Sequence, residues 1–210
     1  MKTLEEQLLP DPDSFASDPF GYSAMAWMKW AILQNLHGFD IDPSVPPTSE
    51  ELKSPVLWLS QAHALSQAAA LVLRGNPDLE TLPLLSRGIC DSQYRAVGLM
   101  LVGYSLEICL KGMLIVKKGV TSYVAEEKAH KHHKLVRLAE FIPELNAKEQ
   151  AILTLLTHFL EWAGRYPDPG SGREGNAQIL FTLSEQYRIT AKDVFVLAAK
   201  VMGYARVVVA

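Results

Sequence analysis

The chain has 210 residues, of which 49% are hydrophobic, and it carries a formal net charge of −3. This length and composition favour one domain with a large apolar core, and the charge excludes a strongly basic nucleic-acid-binding protein. The charge is unevenly distributed, because residues 1–50 hold eight acidic and two basic side chains, whereas residues 51–210 hold fifteen acidic and eighteen basic ones.

Cysteine content and the N-terminal sequence predict a cytoplasmic protein. Cys90 and Cys109 are too few for a disulfide framework and lie in apolar surroundings, which is typical of buried thiols. The N-terminus is acidic and lacks the apolar segment of a secretory signal. The longest apolar stretch, 96–116, contains Glu107 and Lys111. Each charge would cost about 2.5–3.5 kcal/mol at the centre of a bilayer, so we expect a buried helix and no membrane association.

Residues 1–17 are predicted to form an acidic arm, and residues 18–210 a single helical domain. Asp18 and Pro19 are a favourable cap and first residue for a helix, and apolar residues then recur at helical spacing. Gly38 is predicted to end this helix.

The second helix begins at either Thr48 or Ser54, since both positions carry helix-start signals, and it ends at Gly75. The longest helix extends from about Asp91 to Lys118. Its middle is apolar on nearly every side, which is typical of the central helix of a bundle.

Further helices are predicted towards the C-terminus, with starts at His133, at Asn146 with Glu149, and at Thr190 with Asp193. Residues 120–130 are ambiguous, and residues 179–187 are compatible with a strand or a helix. With almost no alternating strand pattern, the sequence predicts an all-α, up-and-down bundle of about five to seven helices.

Basic side chains are concentrated in residues 108–137, where Glu126 and Glu127 face an excess of cations: Lys111, Lys117, Lys118, Lys128, Lys131, Lys134 and Arg137. Such an excess attracts polyanions, and it is also typical of a solvated helix end. Both interpretations stay open.

Three histidines, His130, His132 and His133, lie in the same segment. Zinc requires three or four ligands in tetrahedral reach, and no cysteine or further histidine has the usual spacing. We therefore predict no metal and no cofactor.

Two other pairs of polar side chains are candidates for a functional site. Glu107 and Lys111 are four residues apart on a buried helix, so each must find a partner. His158 and Arg165 are seven apart, which places them on one face of a continuous helix. A histidine that transfers protons beside an arginine that binds phosphate suits phosphodiester chemistry. Alternatively, Arg165 caps the end of its helix and His158 is an ordinary helix residue.

Three segments occur in order: YSLEICLKGML (104–114), HHKLVRLA (132–139) and EWAGRYPDP (161–169). Together they resemble the HEPN family of higher eukaryote and prokaryote nucleotide-binding helical domains, over roughly residues 91–169. The resemblance implies a bundle of four or five helices that is often a homodimer. Many members are ribonucleases or toxin-like partners in toxin–antitoxin, defence and stress systems, and others bind nucleotides, RNA or partner proteins.

The ribonuclease members carry an arginine followed, after four to six residues, by a histidine, and this sequence lacks that motif. The resemblance therefore favours a non-catalytic module that binds a nucleotide, RNA or a partner protein in a prokaryotic stress or defence system. The alternative is a metal-independent ribonuclease with a non-standard Arg/His pair, so enzymatic activity stays open.

A polar cleft at one end of the bundle is the predicted site. Gly164 would break its helix so that the next residue, an arginine, turns back over Glu107 and the histidine helix start. The residues assigned to this cleft are Glu107, Lys111, His133, His158, Arg165 and Tyr166.

Overall fold

A computed structural model describes residues 3–209, in which 71% of the chain is helical and no strand is present. The all-α class is confirmed. The described residues form twelve α-helices: α1 (Leu4–Leu8), α2 (Pro12–Ser17), α3 (Pro19–Ala24), α4 (Ala26–Leu36), α5 (Pro55–Arg74), α6 (Leu84–Lys118), α7 (Val120–Ala125), α8 (Glu127–His130), α9 (Leu135–Leu138), α10 (Ala147–His158), α11 (Gly175–Gln186) and α12 (Ala191–Val209).

This number exceeds the predicted five to seven because half of the helices have only four to six residues. A helix of one turn shows no apolar period, so its sequence pattern cannot be distinguished from that of a loop. Two further short elements are a 3₁₀ helix at Glu51–Lys53 and a π-helix at Phe159–Ala163.

The chain divides into two compact units, Met1–Leu57 and Trp58–Ala210. The boundary between these units lies inside α5. Helices α1 and α2 occupy the segment predicted as an acidic arm, capped by Thr3 and Asp11. The proposed division of the chain between residues 17 and 18 stays a prediction.

Helix starts in the first unit follow the local signals. The carboxylate of Asp18 accepts a hydrogen bond from the Gly21 N–H at 2.9 Å, as expected for the cap of α3. Both alternatives for the second helix are used in part, because the Thr48 hydroxyl accepts from the Glu51 N–H at 3.1 Å at the 3₁₀ helix. The α-helix itself begins at Pro55.

Helix α6 forms the centre of the second unit. It starts at Leu84, directly after Pro83 and seven residues before the predicted start, and ends at Gly119, whose φ of +80° favours glycine. Its C-terminal half contributes six apolar side chains to the buried core, namely Val102, Leu106, Cys109, Leu110, Met113 and Ile115. Helices α9, α10 and α12 pack around this half.

Glycines bring the π-helix and its exit close to α6. A Cβ on Gly103 would lie 3.0 Å from Leu160 Cγ, and one on Gly164 would lie 3.0 Å from the Ala96 carbonyl oxygen while also meeting Met100. Because Gly164 lies against Ala96 and Met100, the chain after residue 164 leaves α6 beside these two residues.

Capping signals in the second unit are confirmed. Asn146 and Glu149 form a reciprocal capping box at the start of α10. Asp193 accepts from the Thr190 N–H at 2.8 Å at the start of α12. Residues 179–187, whose sequence is compatible with a strand or a helix, lie mostly within α11.

Two helices, α5 and α6, are long and apolar enough to cross a membrane by length and composition alone. The most apolar segment of α6 is 56% buried within the protein, whereas that of α5 is 11% buried. The core helices of soluble proteins meet the same criterion, so these two helices are only a weak indication of a membrane protein. The predicted cytoplasmic location stays a prediction.

Candidate functional site

A buried carboxylate lies at the centre of the candidate site. Glu107 on α6 is 3% exposed. One of its oxygens accepts from Lys111 Nζ at 2.7 Å, and the other accepts from His133 Nδ1 at 2.8 Å. A buried charge is tolerated only when it is paired and hydrogen-bonded, and both oxygens meet this requirement.

His133 is positioned by its neighbours on several elements. It lies two residues before α9, whose first residue, Leu135, is fully buried and donates its N–H to Thr157 Oγ1 of α10 at 3.1 Å. The His133 ring also packs edge-on against Tyr104 of α6, with 6.1 Å between ring centroids. The imidazole is therefore oriented by α6 and α10 as well as by its own segment.

The hydrogen bond to Glu107 determines which nitrogen of His133 is available. Because a carboxylate only accepts, Nδ1 carries the hydrogen of this contact, and Nε2 is the ring nitrogen left for another partner. The side chain is 40% exposed. The arrangement leaves Nε2 available for a hydrogen bond with a ligand.

The stacked rings of Tyr123 and His130 extend the site. Tyr123 of α7 is 2% exposed and stacks on His130 of α8, with 5.2 Å between ring centroids. Burial raises the pKa of Tyr123 to about 12, and the negative charges of Glu127 and Glu107 contribute to the increase. Its phenol is therefore protonated at neutral pH.

The pKa values of His130 and His132 reflect the positive charges near them. Burial lowers the pKa of His130 from 6.5, and the positive charge of Lys118 lowers it further against the opposing effect of Glu126. Burial also lowers the pKa of His132, followed by the positive charges of Arg137 and Lys111. Both imidazoles are predominantly neutral at pH 7 and lie among cations.

Four basic side chains of this segment are exposed, namely Lys128, Lys131, Lys134 and Arg137. We use the name cationic site for the cluster formed by Lys111, His130, His132, His133, Lys134 and Arg137 around Glu107. Its chemistry suits an anion with several oxygen acceptors, since it combines exposed cations and imidazole nitrogens with a carboxylate whose two oxygens are already bound to Lys111 and His133.

The structure places Arg165 and Tyr166 elsewhere, which corrects the prediction of a single cleft. Both line a cavity of about 230 Å³ with Gln93 and Val97 of α6. Val97 precedes Glu107 by ten residues, which is about 15 Å along a helix. The guanidinium of Arg165 instead lies over the Tyr166 ring, 5.3 Å from its centroid.

The physical reason is the position along the axis of α6 at which the chain after Gly164 leaves that helix. Gly164 packs against Ala96 and Met100, so the residues that follow it start two turns or more before Glu107 on α6. The sequence gives the order of the helices along the chain, but not the positions along their axes at which they contact each other.

His158 is also separated from its predicted partner. Its Nδ1 accepts from Trp162 Nε1 at 3.4 Å, and burial lowers its pKa, with Glu161 opposing the shift. The π-helix at 159–163 changes the number of residues per turn, and the helical segment ends at residue 163. A spacing of seven residues therefore no longer places His158 and Arg165 on one face.

Sequence reasoning missed Tyr104 and Tyr123 as parts of the site. Tyr104 lies three residues before Glu107, a spacing that places both on one face of α6, and this signal was present in the sequence. Tyr123 lies in the segment that had no clear period. Within residues 3–209, no group of three or more histidine, cysteine, aspartate or glutamate side chains is arranged to hold a metal ion.

Comparison of the chain with protein-family models, with curated proteins and with solved structures finds no match. The chemistry of the cationic site is therefore the main guide to the function.

Proposed function

We propose that this protein is a non-catalytic, HEPN-like module that binds the phosphate groups of RNA or a nucleotide at the cationic site. The observation that carries the proposal is the positive environment of His130 and His132. Burial is the largest cause that lowers their pKa values, followed by the charge of Lys118 at His130 and those of Arg137 and Lys111 at His132. Two of the three HEPN-like segments, 104–114 and 132–139, supply residues of this site.

The buried pair supports anion binding rather than opposing it. Glu107 is 3% exposed and shares its charge between Lys111 and His133, so little negative potential reaches the surface. Exposed Lys134 and Arg137 then act as phosphate ligands. An arginine offers two parallel N–H donors to phosphate oxygens, and the neutral histidines add further polar contacts.

The resemblance supplies the remaining parts of the proposal. It favours a cytoplasmic homodimer that works with RNA or a partner protein in a prokaryotic stress or defence system. The absence of the arginine-to-histidine motif from the sequence favours binding without cleavage.

Fluorescence anisotropy with a labelled single-stranded RNA of about twelve nucleotides tests this proposal. With three phosphate contacts, raising KCl from 50 to 200 mM weakens binding roughly tenfold or more. Arg137→Gln weakens binding at low salt, and its matched control, Arg206→Gln near the end of α12, does not. Salt-insensitive binding, or equal losses in both variants, would refute the proposal.

One observation favours a ribonuclease as the second candidate. The half-exposed His133 side chain is oriented by its Nδ1–H donating to Glu107, and a histidine held by a carboxylate is an arrangement suited to proton transfer. Incubating the same RNA in EDTA and resolving it on a denaturing gel separates the two functions. We expect intact RNA, whereas cleavage that disappears in His133→Gln would establish the enzyme.

A further inference from the structure

A large apolar cavity lies away from the cationic site, between α6, α10, the π-helix, α11 and α12. Its volume is about 650 Å³. Its lining includes Leu99, Ile152, Leu155, Phe159 and Trp162. No side chain that ionises near neutral pH is among the residues that line it, and its polar groups are mainly serine and threonine hydroxyls.

Helix α11 covers this cavity without filling it. Ala177, Leu180, Phe181 and Ser184 of α11 line the cavity, yet none of the twelve residues of the helix is buried. Phe181 is 63% exposed. Protein interiors are normally packed as densely as organic crystals, so this face of α11 is packed less densely by the described residues than a protein interior is.

We propose that this cavity is a binding site for an uncharged, largely apolar small molecule. The volume lies in the range of about 300–1,000 Å³ that is typical of small-molecule sites, and apolar walls with a few hydroxyls are their usual lining. The hydroxyls of Ser92 and Ser184 suit a ligand with one or two oxygen atoms. A charged group would be desolvated there without an ionic partner.

The size of the cavity argues for a small molecule rather than a peptide helix. Its volume of about 650 Å³ matches a single small molecule, whereas a docked helix needs a groove that accepts apolar residues spaced over two or more turns. This inference does not depend on the proposed function, because the cationic site shares no residue with the cavity.

Titration of the full-length protein with Nile red, an uncharged apolar dye, tests the inference. We expect saturable binding of one dye per chain, with a blue shift of the dye emission and quenching of tryptophan fluorescence by energy transfer from Trp162. Two variants that fill the cavity from α11, Ala177→Phe and Ser184→Phe, weaken binding at least tenfold.

Thr182→Phe is the matched control, because it adds the same side chain to an exposed position of the same helix that does not line the cavity. It retains the affinity of the wild type, and circular dichroism verifies that all three variants are folded. Absence of saturable binding in the wild type would overturn the inference. Wild-type affinity in both filled variants, or an equal loss in the control, would do so as well.

Discussion

At the scale of single residues, Glu107 holds the cationic site together, because its two carboxylate oxygens bind side chains from different parts of the chain. Its contact with Lys111 was expected from the four-residue spacing, since both lie on one face of a buried helix. Its contact with His133 spans 26 residues and depends on how the segment before α9 packs on α6.

Replacing Glu107 should be costly for stability. Glu107→Gln leaves the ammonium group of Lys111 buried without its charged partner, and breaking one side of a buried ion pair costs about 3–5 kcal/mol. Urea unfolding followed by circular dichroism measures the loss. The control is Glu126→Gln, which removes an exposed partner of Lys118 and leaves stability near that of the wild type. Equal stabilities of the two variants would contradict this role of Glu107.

The lowered pKa of His132 gives a second test. Since burial and then the charge of Arg137 lower this pKa from 6.5, the unfolded chain binds a proton first as the pH falls. Stability is therefore unaffected by His132 well above pH 6.5, decreases below it, and reaches its full loss once the pH passes the folded pKa.

Arg137→Gln raises the pKa of His132 towards 6.5 without restoring it, because burial remains. Titration of the imidazole carbon-bound protons by NMR measures the shift, and Arg206→Gln serves as the control. A His132 pKa that is unchanged in Arg137→Gln would show that the positive charge does not act on this ring.

At the scale of elements, two glycines of α6 differ in what surrounds them. A Cβ on Gly103 would lie 3.0 Å from Leu160 Cγ and 3.3 Å from the Leu156 carbonyl oxygen, whereas nothing lies within 4 Å of the corresponding position at Gly88. The same substitution in the same helix should therefore have opposite effects on stability.

Gly103→Ala should destabilise the protein by about 1–3 kcal/mol, because the added methyl group overpacks the contact with the π-helix. Gly88→Ala should stabilise it by about 0.5–1 kcal/mol through helix propensity. The free energies of unfolding in urea measure both effects. Equal stabilisation by the two substitutions would show that α6 does not approach residues 156–160 as closely as described.

Elements whose signals are local could be predicted from the sequence, and the others could not. The caps at Asp18 and Asn146 depend on side chains within three residues, so they appear in both sequence and structure. The early start of α6 was missed because its first turns expose Leu84, Leu85 and Ile89, which leaves no apolar period facing a core. The π-helix at 159–163 has no sequence signal of its own.

At the scale of the whole molecule, the predicted site separates into two regions. Glu107, Lys111 and His133 meet on the C-terminal half of α6, whereas Arg165 and Tyr166 lie beside Gln93 and Val97. The sequence could identify which side chains carry chemistry. It could not predict the distances between these side chains, because the distances depend on where along their axes the tightly packed helices contact each other.

The six histidines of the chain offer the most direct test of the cationic site, since three lie in it and His37, His63 and His158 lie elsewhere. The measurement is an NMR titration of all six imidazoles against pH, with and without the RNA oligonucleotide. Bound phosphate groups should raise the pKa values of His130 and His132 and shift the signals of His133, while the other three histidines stay unchanged. RNA that leaves His130 and His132 unaffected, or that shifts all six histidines alike, would contradict phosphate binding at this site.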